Sequence, residues 1–240
     1  MNTMNTQASP MNYLALSGVG NVGKTTLARH VLAPASSASI VTLETHSPSG
    51  DEAAPIDSGV LAAHLFASPP VGLILDVGVG DCGAALEALA LVARQDVRLP
   101  GRLRIVTPLL CDSKSVAGLR WLLGQLPEVL RPTVRAIWNR VRREREDEST
   151  LKDSEIVRAA RSVARQGGAQ FCSVPLYESA LYDPAHPLVR RYGSIAALAS
   201  LADSKIREAT LSEMSTLLAA RDAAQAAQAN ASEVFVALNG

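Results

Sequence analysis

Ser17-Gly-Val-Gly-Asn-Val-Gly-Lys-Thr-Thr26 is the stretch on which the reading of this chain turns. Positions 18–25 match the pattern G-x-x-x-x-G-K-[ST]. An apolar run of strand length, 13–17, precedes the pattern, and a helical pattern, 24–32, opens from its Lys-Thr end. Glycines there let backbone N–H groups curl around a phosphate without Cβ clashes, and the helix N-terminus adds favourable partial charge. Gly20, Asn21, Val22 and Gly23 are therefore expected to cradle phosphate. Lys24 should reach the β- and γ-phosphates, the Thr25 hydroxyl should sit on Mg²⁺, and Thr26 should support the α-phosphate.

Outward from this loop, apolar runs recur at 40–44, 71–77, 103–107, 134–138 and 170–174. They are continuously apolar or β-branched, as strands covered on both faces of a parallel sheet are. Helical patterns at 59–66, 84–94, 114–125 and 153–166 alternate with them, with Ser113 and Asp153 as expected caps and Gly167-Gly168 as an expected stop. The expected fold is α/β: a doubly wound, mostly parallel sheet with a P-loop after its first strand. Ligands in such folds bind at the C-terminal ends of the strands. Three parts follow: a polar N-terminal tail (1–11), the nucleotide domain (12–202) and a C-terminal helix and tail (203–240). That helix is expected to start at Asp203, with Ile206, Thr210, Met214, Leu217 and Leu218 on one side, and to fray through 225–230.

A nucleoside triphosphatase needs a carboxylate at the end of a neighbouring strand to hold the Mg²⁺ shell, and the apolar run Val71-Gly-Leu-Ile-Leu-Asp76 supplies Asp76. Gly78 and Gly80 just beyond it would let a backbone N–H approach the γ-phosphate. Base choice is read from the late strand, which ends Ala136-Ile-Trp-Asn-Arg140 with no Asp after the Asn. Guanine selection is disfavoured, and Asn139 fits a contact with adenine or an ordinary turn residue. Pro175 would place the next loop over the base.

Composition removes other classes. Hydrophobic residues form 48% and charged residues 19% of the 240, so the chain can build a core. Lys+Arg (23) equals Asp+Glu (23), leaving no global field toward nucleic acid. Cys82, Cys111 and Cys172 are far apart and odd in number, which suits a reducing compartment. No run of about 18 apolar residues and no signal-peptide pattern is present, so a cytoplasmic protein is expected. His30, His64 and His186 lack the Cys/His spacing of a structural zinc site.

Taken together, 14–32, 73–80, 105–123, 137–141 and 174–201 resemble the ParA/MinD branch of P-loop ATPases, and within it the plasmid-stability StbB type. The resemblance rests mainly on the loop with its helix, 17–34, and on Leu75-Asp-Val-Gly78. It implies ATP and Mg²⁺ as cofactors, slow ATPase activity, a homodimer formed on ATP binding, and a plasmid-encoded DNA-binding partner. Its expected setting is plasmid stability, partition or positioning, with a link to conjugation. In ParA-type proteins the loop's second residue is a lysine that reaches the partner's nucleotide; here it is Val19. The family also ends its second strand in acids near the γ-phosphate. Here Glu44 and His46 are the candidates for a metal-water contact or nucleophile activation, beside their reading as polar loop residues.

Residues 131–165 hold ten Lys+Arg against six acids. Arg158, Arg161 and Arg165 share one helical face and either grip DNA phosphates nonspecifically or form a solvated, ion-paired face. The C-terminal tail mixes both charges and is small-residue rich, so a membrane anchor is not expected. Two functional readings stay open. One is an ATP-hydrolysing switch; the other is a nucleotide-sensing interaction protein with negligible turnover that docks a plasmid-encoded partner or transfer apparatus.

Overall fold

The computed structural model describes residues 11–43, 57–66, 72–140, 149–177 and 179–240. Strand β1 (Asn12–Ala15) leads through the glycine-rich loop into a continuous helical rod made of α1 (Lys24–Leu27), a π-helical turn (Ala28–Leu32) and α2 (Ala33–Ser36). Strand β2 (Ser39–Leu43), α3 (Ser58–Phe66) and β3 (Leu73–Val77) follow. A 3₁₀ turn (Val79–Asp81) then leads to α4 (Cys82–Gln95), α5 (Leu99–Arg102), β4 (Leu103–Leu109) and α6 (Ser113–Gln125). After a second 3₁₀ turn (Glu128–Thr133) come β5 (Val134–Arg140), α7 (Ser149–Gln166), β6 (Gln170–Phe171) and β7 (Leu176–Tyr177). A third 3₁₀ turn (Ala180–Tyr182), α8 (Pro187–Tyr192), α9 (Ile195–Ala199), α10 (Asp203–Arg207) and α11 (Leu211–Asn239) complete the chain.

The sheet order is β2-β3-β1-β4-β5-β6, all pairs parallel, with β7 pairing the far end of β5 beyond β6. The chain leaves β1 toward β2, returns into β3, then steps across β1 to β4. The strand order therefore reverses at β1, and a crevice opens where its C-terminal end meets the loop. The molecule is thus α/β, with a mostly parallel sheet flanked by helices.

Side-chain alternation explains the unbroken apolar runs. Leu14, Leu75, Ile105 and Ala136 face α3, α4, α6 and α7 through Leu61, Leu89, Leu119 and Ala160. Their neighbours Tyr13, Ile74, Val106 and Ile137 face the opposite layer, built from Leu27, Val31 and Leu32 of the rod and Val234 and Leu238 of α11. The central strands β1, β3, β4 and β5 have apolar partners on both sides, which is why their runs are apolar on both faces.

Several local expectations shift. Asp112, not Ser113, caps α6: its extended backbone lets the carboxylate turn back and accept from the Ser115 N–H at 2.7 Å. Asp153 lies inside α7, which already begins at Ser149. Gly167-Gly168 does end that helix: Gly168 takes φ +76°, and the Ala169 N–H reaches the Ala164 carbonyl at 2.8 Å. The run 170–174 divides, because the chain bends at Ser173-Val174 before pairing again as β7.

The C-terminal region departs most. It breaks after α10, and a capping box between Thr210 and Glu213 starts α11 afresh. α11 then runs through 225–230 without fraying, because Ala and Gln favour helix and Ala224 and Ala227 are buried. Leu217 is buried on its seam whereas Leu218 is exposed. Asn230 pins β7, donating to the Pro175 carbonyl and accepting from the Tyr177 N–H, each at 2.9 Å. Among the described residues no helix is long and apolar enough to cross a membrane.

Candidate functional site

The loop is anchored before it turns. The Thr107 hydroxyl donates to the Leu16 carbonyl, the Leu16 N–H donates to Val106 at 3.1 Å, and the Ser17 hydroxyl accepts from the Val19 N–H at 3.2 Å. The loop's first half then packs on α6. A Cβ on Gly18 would stand 3.0 Å from the Trp121 ring, and one on Gly118 would stand 2.7 Å from the Val19 side chain. Position 19 therefore makes a close contact within its own chain. Gly118, Trp121 and Thr107 escape a sequence reading; an isolated glycine inside a helical pattern is the one available signal.

The second half bends through two left-handed residues, Asn21 at φ +57° and Gly23 at φ +89°. Asparagine tolerates this region, but Gly23 is constrained twice. A Cβ there would lie 2.2 Å from Asn139 Nδ2 as well as straining the backbone. Gly20 is less confined: its Cβ would sit 3.6 Å from Val79, an ordinary contact. Val22 is buried, while Lys24 and Thr26 are half-buried at the start of α1.

Two distant strands meet this turn. Thr25 donates its hydroxyl to Asp76 Oδ2 at 2.6 Å, and Asp76, at the end of β3, is buried. Asn139, near the end of β5, is 2% exposed and donates Nδ2 to the Val22 carbonyl at 3.0 Å. Its Oδ1 is buried and accepts no hydrogen bond among the described residues. Leu176 pairs with Asn139, which brings Pro175 beside the same strand end. The sequence-selected residues Gly20–Thr26, Asp76, Asn139 and Pro175 thus lie at one end of the sheet.

Other selected residues fall elsewhere. Glu44 and His46 lie outside the described residues; β2 ends at Leu43, opposite Val77. The Gly78 N–H, expected near a γ-phosphate, is held by the Leu43 carbonyl at 2.8 Å, whereas Gly80 has open space around it. Arg158, Arg161 and Arg165 are exposed on α7, with the Arg161 guanidinium 5.6 Å over the Phe171 ring.

Electrostatics at the loop are simple. Cys82, at the start of α4, has its thiol pushed up to about 11 by burial, with the Lys24 charge pulling the other way. It stays protonated at neutral pH and is no nucleophile. Asp81 is a further buried carboxylate here that the sequence reading did not select. Among the described residues no cluster of three His, Cys, Asp or Glu could hold a metal ion unaided. A Thr hydroxyl beside one carboxylate suits a hard cation that takes its remaining ligands from phosphate and water.

The chain matches no model of a known protein family. No curated protein matches it either, so the functional reading rests on the geometry just described.

Proposed function

We propose that this chain is a Mg²⁺-dependent, ATP-binding switch of the P-loop class, related to the ParA/MinD branch and cytoplasmic. The observation that carries the reading is the meeting of Thr25 with Asp76 and of the loop with Asn139, across 51 and 117 residues of sequence. A glycine-rich turn without a ligand needs neither a buried carboxylate on its threonine nor an asparagine filling the space of a missing Cβ.

The residues fit the cofactors. Lys24 and the N–H groups of 20–25 would hold phosphate, and Thr25 with Asp76 would hold Mg²⁺. The bound cation would neutralise charge on the phosphates. Asn139 uses Nδ2 to hold the loop and keeps Oδ1 as an acceptor. The late strand runs Asn139-Arg140-Val141-Arg142 with no Asp after the Asn, which disfavours guanine and supports ATP. Pro175 and its loop would close over the base.

The preferred role is a slow ATPase in plasmid stability, partition or positioning, with a link to conjugation. It would dimerise on ATP binding and act with a plasmid-encoded DNA-binding protein. Comparing ATP turnover with that of Lys24→Ala tests the enzyme: equal rates would remove it. The close packing of Val19 against Gly118 favours the second reading, a nucleotide-sensing docking protein with negligible turnover, because position 19 offers nothing charged to a partner's nucleotide. Nonspecific DNA binding through Arg158, Arg161 and Arg165 is tested by mobility shift on duplex DNA with ATP, ADP or no nucleotide. Retention that survives replacement of all three by Glu would exclude this stripe.

A further inference from the structure

Near the N-terminal ends of the strands, the face that packs α11 carries a row of polar side chains. Tyr13 pairs with Arg104 across β1 and β4, and Val106 pairs with Arg135 across β4 and β5. Arg104 and Arg135 therefore stand on one face, offset by two residues, within reach of each other's long side chains. They lie at the end of the sheet opposite the glycine-rich loop; five residues of β4, roughly 17 Å, separate Arg104 from the strand's far end.

Unlike the partly buried Arg102 and Arg221, these two arginines have no carboxylate partner among the described residues. Arg102 pairs with Asp96 at 2.5 Å, and Arg221 pairs with Asp203. Arg135 is only 5% exposed, and its Nη1 donates to the carbonyls of Pro132 (2.7 Å) and Val134 (3.3 Å). Arg104 Nη1 reaches the Leu103 carbonyl at 3.4 Å. The Nε atoms of both are buried and donate to nothing, and no carboxylate pairs with either among the described residues.

Burial, then the like charge of Arg104, push the Arg135 guanidinium below its ordinary pKa. A guanidinium nonetheless stays protonated, so this end holds two adjacent positive charges with no carboxylate partner among the described residues. Burying such a pair is costly unless an anion joins it. Tyr13 adds no negative charge: burial raises its pKa, and its hydroxyl donates to Asn239 Oδ1 at 2.9 Å.

We propose that Arg104 and Arg135 form a binding site for a small tetrahedral oxyanion, inorganic phosphate or the phosphate of a small phosphomonoester. Donors arriving from two strands suit an anion with several acceptor oxygens, whereas a carboxylate is already satisfied by a single guanidinium fork. The burial of Arg135 limits the ligand to a small one and keeps out a nucleic-acid backbone. The site does not depend on the nucleotide reading, and the two can fail separately.

The test uses the full chain carrying Lys24→Ala, which weakens phosphate binding at the loop. Inorganic phosphate is titrated at ionic strength held constant with chloride, with equilibrium dialysis and thermal melting as readouts. Saturable binding with a rise in melting temperature is expected. Adding Arg104→Met should weaken binding roughly tenfold or more, and Arg104→Gln provides a second variant of the same half-exposed position. Glycerol 3-phosphate is the second arm. Saturation by both ligands assigns the phosphomonoester class, and saturation by phosphate alone assigns the inorganic ion. Binding by neither, binding unchanged in both Arg104 variants, or displacement of phosphate by a short DNA duplex overturns the proposal.

Discussion

The two ends of this sheet prepare for negative charge in different ways. At the C-terminal end of β1 the chain offers a loop of backbone N–H groups with one lysine, beside a buried carboxylate and an asparagine. At the N-terminal end, β4 and β5 bring two arginines together with no carboxylate partner among the described residues. The first arrangement holds its donors mostly on one short stretch of backbone, and backbone donors need little burial of net charge. The second joins two strands, with the Arg135 charge buried and Arg104 half-buried beside it, and suits an ion that stays in place.

The largest effect should come from Gly23→Ala. The added methyl meets Asn139 at a position where φ is +89°. Stability should fall by about 2–4 kcal/mol and nucleotide binding should be lost, as read by chemical denaturation and calorimetry. Phosphate binding at the arginine pair should persist in whatever protein stays folded, and its parallel loss would break the distinction between the ends.

Leu238→Ala comes next. Leu238 is fully buried where α11 closes over the sheet. A loss of about 2–4 kcal/mol is expected, with ATP affinity unchanged once folding is allowed for. A matching fall in ATP affinity would show that the two ends communicate through α11.

Gly118→Ala sharpens the comparison on the loop side alone. Its methyl would press on Val19 and displace the first half of the loop. ATP should bind several-fold more weakly, and Val19→Ala in the same chain should restore much of the loss, measured as a double-mutant cycle. Additive losses would mean that the Val19–Gly118 contact does not set the loop.

The smallest effect concerns pH. His30 sits in the π-helical turn, stacked on Tyr182 with ring centroids 4.5 Å apart. Burial, against a hydrogen bond to the Tyr182 backbone, lowers its pKa. A base with a depressed folded-state pKa is preferentially protonated in the unfolded chain. Its share of stability is therefore present above about pH 6.5 and declines as pH falls toward the folded-state value. Denaturation midpoints at pH 7.5 and 5.5 should differ less in His30→Gln than in the natural chain.

Sequence revealed the loop end far better than the arginine end. The glycine-rich stretch, Asp76 and Asn139 were legible because each follows an apolar strand-length run, and strand ends gather on one side of a parallel sheet. Nothing in a single sequence pairs Arg104 with Arg135, since that needs the β4–β5 register. The packing of Val19 on Gly118 was hidden similarly, because it joins the loop to a helix about a hundred residues later. The Ala/Gln stretch of α11 carries little amphipathic signal and so suggests fraying; burial of Ala224 and Ala227 against neighbouring elements keeps it helical.

Nucleotide binding is the central claim, and a calorimetric titration of ATP with Mg²⁺ into the natural chain and into Lys24→Ala tests it most directly. The account predicts saturable binding that weakens roughly tenfold or more without Lys24, and a clear preference over GTP. Absence of saturable binding in the folded natural chain, or equal binding by the two proteins, would contradict it.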